Sequence, residues 1–156
     1  MKDKNGASKS YEIILWNALR AGSVAVPQLF LVRYKKLGLS ELEAMLIIQL
    51  MEFVERERVD FPTHEEIQSR MAAAPSDVIA ALQRLVHQGF INIDSGINPE
   101  TGLHCERYNL DGLYGKLAAA LVDEEEKRQE AERQERERGA ERNMFVIFEK
   151  EFSRPL

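Results

Sequence analysis

Residues 74–93, APSDVIAALQRLVHQGFINI, decide how the rest of the chain is read. Val78, Ile79, Leu82, Leu85 and Val86 recur at helical spacing and predict one buried face. Ser76 is the expected N-cap, and Gly89 suits the position just past the helix end. FINI then opens a strand. A helix leading directly into a hairpin is the arrangement that lies in the major groove in many DNA readers. From Ser76 to Gln88, however, Arg84 is the one cation, and Asp77 sits near the start.

Upstream, Thr63 and Glu66 form the spacing of a capping box for HEEIQSRM, and AAAPSD supplies a turn. DFPT (60–63) is a break. Before it, Ser40 and Glu43 make a second capping box for the apolar helix ELEAMLIIQLMEFVERE. Downstream, FINID and LHCERYNL are strand-like runs joined by SGINPETG, a Gly/Asn/Pro linker suited to a long hairpin tip. The predicted class is therefore mostly α with a small β-hairpin (α+β). The architecture is a winged helix-turn-helix over 39–122 with an N-terminal helix–strand–helix extension over 10–38.

Residues 1–9 are polar and small and predict a disordered lead. Tyr11, Ile14, Leu15, Ala18 and Leu19 then mark a helix from Ser10, closed by Gly22. SVAVP (23–27) predicts a brief edge strand, and Pro27 starts a second helix stopped by Gly38. A lone strand leaves backbone groups unpaired. The same strand of a second copy would satisfy them by two-fold pairing, giving a homodimer or higher homo-oligomer. Leu15, Trp16, Leu19, Val24, Val26, Leu29 and Phe30 are the candidate self-association residues, with Tyr34 adding area. Trp16 falls between the main-face positions and calls for a second surface. The alternative is that the segment folds back into a groove of its own domain.

Charge argues against a chain devoted to gripping phosphates: the net is −5 over 156 residues. Between Phe61 and Asp94 the cations are Arg70 and Arg84, against Glu65, Glu66, Asp77 and Asp94. Duplex affinity requires several phosphates to be neutralised. His64, His87 and His104 have no metal-ligand spacing, and His104 and Cys105 point to opposite faces of a strand. Cys105 reads as a packing residue. No phosphate-binding Gly-rich loop follows a strand into a helix. The sequence points to no enzyme, cofactor or metal. One cysteine and no long apolar run fit a cytoplasmic protein without a membrane span.

A second candidate surface lies at the sheet. Phe61, before Pro62, stands where a first strand would meet the hairpin, while Ile93 and Glu106 lie on its two strands. An apolar pair beside a carboxylate suits partner docking, with Glu106 setting specificity. Phe61 and Ile93 could equally be simple core residues.

Leu113, Leu117 and Leu121 predict a helix packed on the domain. Residues 123–143 are almost wholly Glu, Arg, Gln, Lys and Ala and predict a charged helical linker supported by pairs such as Glu130–Arg133. MFVIFEKEFSRPL (144–156) restores apolar character and reads as the start of a truncated further domain.

VPQLFLVRYKKLGLSELEAMLIIQL, FPTHEEIQSRM, LVHQGFINI, GLHCERYNLDGLYGKL and the terminal IFEKEFSRPL together resemble the amino-terminal domain of the DnaD family. These are replication-initiation and primosome proteins of low-GC Gram-positive bacteria. The resemblance implies a winged helix whose added helix–strand–helix drives assembly, acting with the DnaA initiator, DnaB and the DnaI helicase loader. It also implies that DNA binding resides mainly in a helical C-terminal domain that begins at 144–156. Initiator contacts in that family are attributed to the winged-helix part, which fits Phe61, Ile93 and Glu106. A winged-helix DNA-binding transcriptional regulator is the alternative.

Overall fold

The computed structural model describes the backbone of residues 4–152 and the side chains of 6–151. Its elements are α1 (Lys4–Arg20), α2 (Gln28–Arg33), α3 (Glu41–Met51), α4 (His64–Ser69), α5 (Pro75–His87), β1 (Asn92–Ile97), β2 (His104–Asn109) and α6 (Asp111–Phe152). The fold is mostly helical with one two-stranded antiparallel hairpin, an α+β arrangement.

Local chemistry sets most boundaries. The Ser40 hydroxyl accepts from the Glu43 amide, and the Glu43 carboxylate accepts from the Ser40 amide, so both halves of the capping box form. Thr63 and Glu66 do the same for α4. Gly89 lies just past α5 at φ 78°, a left-handed conformation that costs little without a Cβ.

The start of α5 differs from expectation. Its N-cap is Ala74 and Pro75 occupies the first turn, so Ser76 is already inside the helix and does not cap it. Proline's fixed φ and absent N–H suit that first position and move the start upstream. The apolar helix after Ser40 is also not uniform. It widens into a π-turn over Glu52–Arg56, where the Glu57 amide donates to the Glu52 carbonyl at 2.9 Å.

The core gathers Leu46, Ile47, Leu50 and Met51 of α3, Ile67 of α4, Val78, Leu82 and Leu85 of α5, and Leu113 and Leu117 of α6. Ile79 and Val86 lie half-buried at the margin of the predicted α5 face. Leu121, expected to pack with Leu113 and Leu117, is exposed where α6 leaves the domain. From there α6 carries Asp123–Lys127, Glu125–Arg128, Arg128–Glu132 and Glu130–Arg133 ion pairs along its own surface.

Helix α1 starts at Lys4, so the expected polar lead is helical over its described part; residues 1–3 lie outside the described residues. Residues 22–27 form neither helix nor strand. A strand exists only through its ladder partner, and a single chain provides none here. Of the stretch 144–156, residues through Phe152 continue α6, and the rest lies outside the described residues.

Candidate protein-docking surfaces

The element from α1 to α2 splits in two. Its second half folds back: Phe30 is 0% exposed within the core, and Val24, Val26, Leu29 and Tyr34 pack partly buried against it. Phe30 therefore cannot offer a surface to another molecule, which corrects its place among the self-association candidates. The physical reason is the turn at Pro27, which aims the first buried position of α2 inward. The first half does not fold back. Tyr11, Ile14, Leu15, Trp16 and Leu19 of α1 are between 58% and 74% exposed. The Arg56 guanidinium holds the end of α1 by donating to the Ala21 carbonyl at 2.5 Å. Arg20 stacks over the Trp16 ring at 5.0 Å.

The second surface lies between α5 and the hairpin. In the antiparallel register Ile93 faces Tyr108 and Ser95 faces Glu106. Because strand side chains alternate, Ile93, Tyr108 and Glu106 share one face. Phe61 stacks on Tyr108 with ring centroids 4.6 Å apart, and the Tyr108 amide donates to the Asp60 carbonyl at 2.9 Å. The segment before α4 is thus laid against β2 by a single backbone bond. The outcome is a groove of about 340 Å³ lined by Phe61, Leu82, Val86, Ile93 and Tyr108, with His64 and His87.

Phe61 and Ile93 are 39% and 41% exposed, so neither is a buried core residue. Phe61 and Ile93 line the groove, whereas Glu106 is not among its lining residues and lies on the same strand face as Tyr108. Burial, and then the Glu106 charge, push the Tyr108 phenol above its ordinary pKa, so the tyrosine remains a neutral, mostly apolar wall.

Arg84 resolves the question posed by α5. Its guanidinium pairs with the buried Glu43 carboxylate at 3.2 Å and donates to the Gly38 carbonyl at 2.9 Å. The one cation of that helix is committed to its own domain and faces α3. Glu43 has one oxygen on Ser40 and Arg84, while Oε2 is buried without a hydrogen-bond partner among the described residues. Arg84→Ala would strand that carboxylate and is expected to cost about 1–3 kcal/mol of stability. Chemical denaturation would measure it, with duplex affinity unchanged. An Arg84→Ala protein as stable as the parent would show the pair to be dispensable.

The Cys105 thiol is exposed on the hairpin, contrary to its reading as a packing residue. Among the described residues its strand pairs only with the other strand of the hairpin, and the thiol side is left uncovered. Among the described residues, no three of His, Cys, Asp and Glu come together as a metal site, and no helix is long and apolar enough to cross a membrane.

The domain is mostly helical with one short hairpin between α5 and α6, and it leaves apolar side chains exposed on α1 and beside β2. The sequence profile of the DnaD N-terminal domain matches residues 26–130, and the chain belongs to that family. It is 33% identical over 138 residues to the replicative helicase loading/DNA remodeling protein DnaD of Bacillus subtilis (strain 168), covering 86% of this chain. The chain spans 56% of the length of that relative. It is also similar to the crystal structure of the N-terminal domain of DnaD from Geobacillus kaustophilus HTA426, at 32% identity and a TM-score of 0.61. That match covers 83% of this chain and 99% of the other.

Proposed function

We propose that this chain is a non-enzymatic assembly module for replication initiation. It self-associates through α1 and receives partner proteins in the groove between α5 and the hairpin. We read α4, α5 and the hairpin as a winged helix whose second helix has exchanged groove reading for core packing. The role suggested by the similar helicase-loading and DNA-remodeling protein is to bring the replicative helicase to DNA. DnaA, DnaB and DnaI are the corresponding partners, in a cytoplasmic setting, and DNA would be held mainly by a further C-terminal domain.

The observation that carries this reading is the open apolar surface of α1, with six large side chains more than half exposed among the described residues. Contiguous apolar surface of that kind normally marks an interaction site. The transcriptional-regulator alternative is weakened because Arg84 is paired inside its own domain.

Light scattering across a concentration series tests the assembly. The parent should gain mass with concentration, whereas Leu15→Glu/Leu19→Glu should remain a monomer with an unchanged helical spectrum. Val24 and Val26 are poorer probes, because they pack partly against the chain's own core. A parent that stays monomeric throughout would end the self-association reading. In parallel, a fluorescence-anisotropy titration with duplex DNA at moderate salt should be flat for the parent. Saturable, steeply salt-dependent binding would favour the regulator.

A further inference from the structure

We propose that Arg33, Lys35 and Lys36, at the end of α2 and in the turn after it, form a DNA-backbone binding site that α6 keeps masked through Glu124. The stretch Arg33–Lys36 holds three cations in four positions and no acid. Arg33 donates through Nε and Nη2 to Glu124 Oε2 at 3.1 and 2.6 Å. Lys36 Nζ donates to the other oxygen, Oε1, at 3.1 Å. The carboxylate thus bridges two cations with one oxygen on each, as the two free oxygens of a phosphodiester would. The planar arginine fork suits both acceptors. Lys35 is exposed and makes no salt bridge among the described residues, which leaves it for an adjacent phosphate.

Neighbouring acids are engaged elsewhere. Asp123 pairs with Lys127 at 2.9 Å, Glu125 pairs with Arg128 at 2.6 Å, and Glu41 accepts from the Tyr34 hydroxyl at 2.6 Å. Glu124 is therefore the acid of α6 that neutralises the α2 cluster. It also sits beyond the buried anchors Leu113 and Leu117 and after the exposed Leu121. The turn that carries it can lift away without uncovering the core.

The hydrogen bonds from Arg33, and then from Lys36, hold the Glu124 carboxyl down at about 2. The mask therefore stays charged at neutral pH and opens by movement of the helix, not by protonation. Both partners of the Arg33–Glu124 pair keep some solvent exposure, at 24% and 33% of their side chains, and ion pairs near the surface contribute modestly to stability, so a partner that takes hold of α6 could open it.

The test uses the full chain in anisotropy titrations with labelled duplex and single-stranded DNA of about 20 nucleotides, in salt of roughly 50 mM. Glu124→Gln should bind about tenfold or more tighter than the parent, with a log–log salt slope of roughly −2 to −3 from three cations. Glu132→Gln removes the same charge from α6 further along and should leave binding at the parent level. Adding Lys35→Ala and Lys36→Ala to Glu124→Gln should abolish the gain. Circular dichroism checks the fold, and Glu124→Ala serves as a second unmasking variant with the same expected result.

Unmasked variants that bind no better than Glu132→Gln would overturn the proposal. So would a gain that survives loss of both lysines, or one that labelled poly-glutamate reproduces equally. None of these outcomes bears on the docking reading, which the parent's mass and flat titration decide.

Discussion

Replacing Gly112 with alanine is expected to lower the thermal midpoint by roughly 4–8 °C, a net loss of about 2 kcal/mol. In an open helix the same change would stabilise by up to about 1 kcal/mol, because glycine is the weaker helix former. Here sterics win. A Cβ on Gly112 would collide with the Gly89 carbonyl oxygen and lie 3.2 Å from its carbon and 3.3 Å from the Phe90 oxygen. All three are backbone atoms, which cannot rotate aside as a side chain can. Gly115, one turn later, has nothing within 4 Å of an added Cβ. Gly115→Ala should therefore raise the midpoint. Opposite signs from two identical substitutions in one helix would identify the close approach of α6 to the end of α5. If both stabilise, that contact is not made in solution.

The second large effect is at Phe30. Phe30→Ala should cost about 3–5 kcal/mol, the usual loss for emptying a fully buried aromatic site. The midpoint would fall by on the order of 10 °C. Its concentration dependence is the informative part. A residue buried in its own chain loses the same stability at every protein concentration. An interface residue loses stability that grows with concentration, because the parent gains from association and the variant does not. Denaturation at two concentrations a hundredfold apart separates these cases. A loss that grows with concentration would return Phe30 to the interface.

How much of this could be read from sequence depends on how local the cause is. The two capping boxes, the glycine after α5 and the apolar faces of α5 and early α6 follow from contacts within a few residues, and the structure contains them. That Ile93 and Glu106 lie on one face of the hairpin follows from strand alternation, whereas the stacking of Phe61 on Tyr108 is a tertiary contact. Longer-range facts were not legible. Arg84 has its carboxylate partner 41 positions away in α3, and no spacing rule links them. Phe30 looked like a surface residue beside Leu29 because the inward turn at Pro27 is a tertiary outcome. The same holds for Gly112, whose neighbour is the far end of another helix. The position of Cys105 in the wing suggests a packing residue, but the thiol is exposed on the hairpin. The Arg33–Glu124 pair spans 91 positions and joins two segments whose charges, taken separately, read as ordinary solvated surface.

The long helix α6 also has a purely geometric consequence. Past Glu124 it runs to Phe152, with ion pairs along its surface as far as Arg133, a distance of roughly 40 Å at the α-helical rise. A rod of that length gears small motions up. Tilting it by about 10° where it meets α2 carries its far end through roughly 7 Å. Gearing works in the other direction too, since a modest sideways pull at the far end concentrates its torque on the single carboxylate at the pivot. A weak contact placed at that fulcrum can therefore report events that occur well outside the domain that holds it.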